Sequence, residues 1–283
     1  MSTTGGEQPT GSFLRNDRVE RADEVPVRDA ATVMIVRDAP ELEVLLVQRA
    51  SKLAFAANAW VFPGGRVDRD DADDAERVGR NLGDAEASAT LGVESGGLAW
   101  WFAAVRETLE EVGMLLGTPS VDVSLLPALR AALDRDSETF TDLLVEHDIT
   151  LDLGALHDVA RFVTPVGPAR RFDTRFFLAA APAEQEPHPD DAEIIAHRWV
   201  SPATAVAEWR AGELTQMAVT HRMLSCLDRF PTAAAAVARA AKQAEPARLR
   251  VDDPEGEYIV YLPSDPGYET AELEIEHGSI RLY

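Results

Sequence analysis

The chain has 283 residues, a hydrophobic fraction of 46% and a formal net charge of −22, with Lys52 and Lys242 as its two lysines. That length and apolar content suit one large domain, or one domain with an appendage, able to bury a full core. The acidic balance opposes loose binding to nucleic acid or to an anionic membrane, so a phosphate-bearing partner would have to be gripped locally.

Residues 1–27 are rich in Gly, Ser, Thr and charge and read as a disordered arm. Met1 to Arg28 lacks the apolar core of a signal peptide, and no apolar run reaches membrane-spanning length. The residues from Ser279 to Tyr283 are not a peroxisomal address, so the cytoplasm is the expected compartment. Cys226 stands alone and reads as a small apolar core residue rather than a nucleophile.

Thr32 to Val36 and Glu41 to Gln48 are aliphatic and β-branched, and Asp38-Ala39-Pro40 between them predicts a hairpin. Trp60 to Phe62 reads as a short strand delivering Pro63-Gly64-Gly65, a turn whose glycines permit close approach of backbone to ligand. From Asp68 to Glu76 six acidic residues read mainly as solvated loop.

A helix is predicted over about 98–116, with Trp101, Val105, Leu109 and Val112 as its apolar stripe. Residues 120–147 read as peripheral helix, and Arg161 to Thr164 and Phe172 to Ala180 as strands joined by a Pro/Gly loop. Ala196 to Val200 is a further strand, ended by the helix start Ser201-Pro202. An alanine-rich helix is expected over 216–243, then one hairpin pairing Glu257–Leu262 with Leu273–Glu276.

The predicted helix over 98–116 carries Glu107, Glu110 and Glu111. At 3.6 residues per turn, Glu111 lies about 40° from Glu107 and Glu110 about 60° the other way. Three carboxylates thus crowd one face, where like charges repel, and a cation would relieve them. Hard oxygen donors select Mg²⁺, Mn²⁺ or Ca²⁺ over zinc. The plainer reading, a solvated acidic face relieved by an Arg106–Glu110 pair, is outweighed by Phe62-Pro63-Gly64-Gly65 upstream and Gly113 directly after. Nucleophile-elbow, Walker and C-x2-C zinc patterns do not occur.

Together these residues resemble the Nudix hydrolase signature G-x5-E-x7-R-E-U-x-E-E-x-G-U, in which U is a bulky apolar residue. Gly65, Arg106, Glu107, Glu110, Glu111, Gly113 and Met114 match it. Asp71 stands at the first glutamate position and Thr108 at an apolar one. Between Asp71 and Arg106 lie 34 residues (106 − 71 − 1) instead of 7, an insertion of 27. A long insert here is similar to the peroxisomal-type coenzyme A diphosphatase branch. So are Leu45 to Ser51 leading to Val61-Phe62-Pro63-Gly64-Gly65, and Thr164-Pro165 followed by Arg171 to Thr174. Phe55 and Ala59 stand near positions where the coenzyme A signature has Arg and Gly.

The resemblance implies an α/β/α sandwich with a mixed sheet, helical insertions and a C-terminal extension. The Nudix domain would span 28–215, with insertions at 72–97 and 120–150, followed by 216–283 as a helix and small β extension. It implies that Glu107, Glu110 and Glu111, with the Gly65 backbone region, hold Mg²⁺ or Mn²⁺, and that Arg106 orients the glutamates. A general base would be Glu110 or Glu107, or a carboxylate of the 184–193 loop, where Glu193 lies closest to the following strand. Substrate phosphates would fall to Arg49, Arg170, Arg171 or Arg175, whose guanidinium forks match phosphate oxygens. The expected partner is a small nucleotide, with neither nucleic acid nor membrane; a homodimer is compatible with the chain. Coenzyme A or acyl-coenzyme A is the leading substrate, followed by ADP-ribose or NADH. The rival is a catalytically silent Nudix domain that senses nucleotides, which would gain nothing from keeping three mutually repelling glutamates.

Overall fold

The computed structural model describes residues 21–53, 56–118, 121–252, 258–271 and 273–283. Residues 1–20 of the expected arm, and Phe55, lie outside them. The end of that arm is structured, with a 3-10 turn at Ala22–Glu24 before the first strand begins at Val27.

The strands are β1 (Val27–Asp38), β2 (Leu42–Arg49), β3 (Trp60–Val61), β4 (Gly64–Arg66), β5 (Gly79–Arg80) and β6 (Leu151–Asp152). They continue with β7 (His157–Val163), β8 (Arg171–Ala180), β9 (Ile194–Val200), β10 (Ala247–Asp252), β11 (Ile259–Tyr261) and β12 (Leu273–Ile280). Among the described residues, ten of these form one sheet in the order β11-β10-β12-β7-β8-β1-β2-β3, with β4 on β1 and β9 on β2. The sheet is mixed because β1 runs parallel to β8 and antiparallel to β2 and β4.

β1 has the near-continuous apolar run of a strand buried on both faces. Val33 and Ile35 enter one core, whereas Met34 and Val36 enter the other. The first core is covered by α1 (Asp71–Val78), α2 (Asp84–Leu91), α3 (Leu98–Val112), α4 (Leu126–Leu133) and α5 (Ser137–Glu146). The second is covered by α6 (Pro202–Arg210), α7 (Ala218–Leu227) and α8 (Ala233–Ala240). The result is the expected α/β/α sandwich. Cys226 is fully buried in the second core. None of the described helices is long and apolar enough to cross a membrane.

Four expectations are corrected. The Asp68–Glu76 run is mostly helix, not solvated loop: Asp71, Asp74, Ala75 and Val78 of α1 face inward at i, i+3, i+4 and i+7. Two of those four positions are aspartates, which hides the helical stripe. Asp74 is satisfied there by the Ser137 and Thr141 hydroxyls of α5, at 2.8 and 2.9 Å. The carboxylate helix stops at Val112 rather than 116, since Gly113 takes a left-handed φ of 70° and donates its N–H to the Leu109 carbonyl. The alanine-rich segment is two helices, α7 and α8. Pro231 separates them, having no N–H to donate and disfavouring helix before it, and Thr232 caps α8 through the Ala235 N–H. Finally, β11 and β12 do not pair with each other; β10, which the sequence reading missed, lies between them. Glu257 lies outside the described residues. Through β12, whose Ser279 pairs with Arg161 of β7, the C-terminal strands continue the main sheet.

Candidate active site

The glycine turn and α3 meet face to face. Gly64 has a φ of 150°, and a Cβ there would lie 2.3 Å from the Ala31 carbonyl oxygen and 2.6 Å from the Thr32 Cα. Its N–H donates to the Glu111 carboxylate at 2.9 Å. A Cβ on Gly65 would come within 2.3 Å of the Glu107 carboxylate. The two glycines are therefore required for different reasons. Gly64→Ala should cost about 1–3 kcal/mol of stability, because rigid backbone blocks it and the φ is strained. Gly65→Ala should fold with a nearly unchanged Tm but lose most activity, since it displaces only a carboxylate end. Calorimetry and turnover on the same preparations separate the two outcomes.

Arg106 is the hub beneath the glutamates, 4% exposed. Its Nε and Nη2 donate to both oxygens of Asp71 at 3.0 and 3.2 Å. Nη1 donates to Glu107 at 3.0 Å and Glu110 at 3.1 Å, and Nη2 also reaches the Arg66 carbonyl at 2.8 Å. Asp71, at the first glutamate position of the signature, is thus a buried partner of Arg106 and stands apart from the open face. The guanidinium faces desolvation, but Asp71 first and then the glutamates outweigh it and raise its pKa. Thr108, polar where the signature is apolar, is satisfied in place by donating to the Ala104 carbonyl at 2.7 Å.

The loop after β8 docks on the C-terminal end of α3. The His188 N–H donates to the Val112 carbonyl at 2.7 Å and the Asp190 N–H to that of Glu111 at 3.1 Å. Arg130 of α4 donates to the Glu110, Glu111 and His188 carbonyls, placing a cation where the helix dipole favours one. The Asp190 carboxylate accepts the N–H groups of Ala192, Glu193 and Ile194, which fixes the turn bearing Glu193. The Glu193 carbonyl in turn accepts the Ala50 N–H at 2.8 Å, tying this turn to the end of β2 beside Arg49.

A cavity of about 580 Å³ collects these groups. Arg49, Gly65, Arg106, Glu107, Glu110, Glu111 and Glu193 all line it. So do Phe62, Phe162, Phe172 and Phe176, an aromatic wall with no motif to announce it. Three of the four proposed phosphate grips, Arg170, Arg171 and Arg175, are not brought there. Arg170 is exposed, and Arg171 donates Nε to the Thr164 carbonyl at 3.0 Å, closing its own loop. Arg175 lies on the opposite face of β8. Arg130 and Asp190 were missed altogether; both act on carbonyl and amide groups, which leave no spacing pattern in a sequence.

Burial dominates the electrostatics. It pushes Glu107 up to about 7 against the pull of Arg106, and pushes Glu111 well above the usual carboxylate range, with repulsion from Glu107 adding to it. Glu110 is also raised, again by burial first. For carboxylates raised on folding, stability is full below the unfolded value and lost as pH rises through the folded one. The metal-free protein should therefore lose stability as pH rises from about 4.5 through about 7. Glu107→Gln should flatten that slope, as a pH series of melting temperatures in EDTA would reveal.

The donor set fits a hard divalent cation: buried carboxylate oxygens around a glycine backbone, with more negative charge than Arg106 alone offsets. The side chains are not already gathered for it. Among the described residues no three Asp, Glu, His or Cys side chains converge as ligands, because Glu107 and Glu110 lean on Arg106 and Glu111 on the Gly64 N–H.

A three-layer sandwich with a glycine turn facing a carboxylate-bearing helix is the architecture of the Nudix proteins. The family model described as the NUDT19 Nudix domain matches residues 85–218. The chain is similar to the acyl-coenzyme A diphosphatase NUDT19 of Homo sapiens, with 30% identity over 212 residues, 60% of this chain and 56% of that protein. To its Gallus gallus counterpart the identity is 29% over 245 residues, 66% of this chain and 64% of that one. A solved Nudix hydrolase from Alicyclobacillus acidocaldarius is 32% identical and superposes with a TM-score of 0.66, over 76% of this chain and 97% of that one. The chain belongs to the Nudix hydrolase family, whose members generally use divalent metal ions. It spans 56% of the human relative's length.

Proposed function

We propose that the protein hydrolyses the pyrophosphate bond of coenzyme A or an acyl-coenzyme A, with Mg²⁺ or Mn²⁺ as cofactor. The observation that carries this reading is the convergence of Glu107, Glu110, Glu111, Glu193 and Arg49 on one cavity. Its substrate half draws support from the two acyl-coenzyme A diphosphatases to which the chain is similar.

Water attacks one phosphorus, the bridging P–O bond breaks, and phosphopantetheine (acylated or free) and adenosine 3′,5′-bisphosphate leave. Glu107, Glu110 and Glu111, with the Gly65 backbone, would hold the cation. When bound, a divalent ion neutralises phosphate oxygens and makes water a better nucleophile. Arg106 holds Glu107 and Glu110 in position from below. Glu193 takes the proton of the attacking water, with Glu110 as the second carboxylate able to do so. Arg49 pairs with the diphosphate, and the four phenylalanines exclude water from the rest of the substrate. Residues 28–215 supply these groups; of 216–283, Met217, Val219 and Thr220 line the same cavity, and the rest complete the sheet and the second helical layer.

The test is a panel of coenzyme A, acetyl-coenzyme A, ADP-ribose and NADH with each metal, products identified by mass spectrometry. Coenzyme A compounds should be cleaved fastest. Cleavage of ADP-ribose alone would overturn the substrate assignment, and no cleavage of any compound would favour a silent nucleotide-sensing domain.

A further inference from the structure

A second cavity, of about 770 Å³, opens on the other face of the sheet. Side chains alternate along β8, so Phe172, Thr174 and Phe176 line the active-site cavity while Arg175 lines this one. Arg161, paired with Arg175 across β7 and β8, lies on the same face. Arg248 and Arg281 complete a set of four guanidinium groups in one wall.

Such a gathering is unusual in a chain of net charge −22. Three acidic residues, Asp29, Asp158 and Asp173, offset it from within the fold. Arg161 is held by Asp173, and Arg281 donates to Asp158 at 3.3 Å as well as to the Ala244 and Thr90 carbonyls. Glu86 and Glu245 also line the cavity but are exposed, where solvent screens them. Arg175 is the least compensated. It is 5% exposed, donates Nη2 to the Leu91 carbonyl at 2.8 Å, and its buried Nε meets no partner among the described residues. Burial lowers its pKa; Asp158 and Asp173 oppose this, while Arg161 and Arg281 add to it. A buried donor left unmade is costly, and it leaves this guanidinium, at the cavity wall, the one with charge to spare.

We propose that this cavity is a second anion site, binding a small molecule through a phosphate group held by Arg175, Arg161, Arg248 and Arg281. Several guanidinium forks suit the oxygens of a phosphomonoester better than a single carboxylate. The volume lies within the range of small-molecule sites. The proposal is independent of the substrate assigned to the first cavity.

Calorimetric titration of the full chain with inorganic phosphate, in EDTA at constant ionic strength, tests it. Saturable one-to-one binding is expected, weakened about tenfold by Arg248→Ser and lost in Arg175→Gln. Arg175→Gln alters a buried residue and puts folding at risk; Arg248→Ser alters an exposed one and keeps the test decisive. Binding should persist in Glu111→Gln. Absence of saturable binding, indifference to Arg248→Ser, or loss in Glu111→Gln would each overturn the site. A parallel titration with AMP distinguishes the source: tighter binding than phosphate points to an organic phosphate, and equal binding to the free ion.

Discussion

Glu111→Gln should lower kcat on the preferred substrate by about 10²–10⁴-fold while leaving the protein folded. The substitution is nearly isosteric, and the amide oxygen can still accept the Gly64 N–H that Glu111 accepts at 2.9 Å. What disappears is a negative charge in a fully buried place. Because burial and then Glu107 raise the pKa of Glu111, its ionised form opposes folding. The sign follows: at pH 8 the variant should melt no lower than the parent, and higher if no divalent ion is present. Its affinity for Mn²⁺, read by electron paramagnetic resonance, should fall with kcat. Parent-like turnover in the variant, or none in either protein, would sink the enzyme reading.

Arg106→Met should have the largest effect on stability. The guanidinium is buried among Asp71, Glu107 and Glu110, at 3.0 to 3.2 Å from each. Removing one partner of a buried ionic network costs about 3–5 kcal/mol, which lowers Tm by roughly 10 °C in a domain of this size. The loss should shrink at pH 5, where the stranded carboxylates protonate. Added Mg²⁺ should raise Tm more in this variant than in the parent, by supplying the missing positive charge. A drop of less than about 3 °C at pH 8 would show that the network does not support the fold. The same geometry accounts for aspartate rather than glutamate at 71. Asp71 is 1% exposed and already meets two guanidinium nitrogens, so an added methylene would overpack the start of α1.

The carboxylate helix was legible because its evidence is local. Glu107, Glu110 and Glu111 share a face by helical arithmetic, and Gly113 ends the helix where a left-handed residue is needed. The hairpin of β1 and β2 and the Ser201-Pro202 cap were legible from composition and turn chemistry, whereas the three layers followed from the resemblance to the Nudix signature. The insertion was legible as extra length but its first helix was not, since α1 turns aspartates inward and only the Ser137 and Thr141 hydroxyls and Arg106 make that affordable. Nor was the choice among arginines. Arg49, Arg170, Arg171 and Arg175 are equivalent as text, yet strand alternation and loop closure send one to the active-site cavity, one to the opposite face and two elsewhere.

By itself, then, the sequence determined the face on which three glutamates gather, because spacing along one helix is a short-range property, and the signature those residues carry pointed to the family and its three-layer fold. Only the tertiary structure decided that Asp71 lies under Arg106, that Arg130 and Asp190 brace the end of α3 and the Glu193 turn, and that four arginines share a separate cavity. The Asp71–Arg106, Arg130–Glu111 and Asp190–Glu111 contacts join residues 35, 19 and 79 positions apart. Burial sets their strength, and burial is a property of the packed whole.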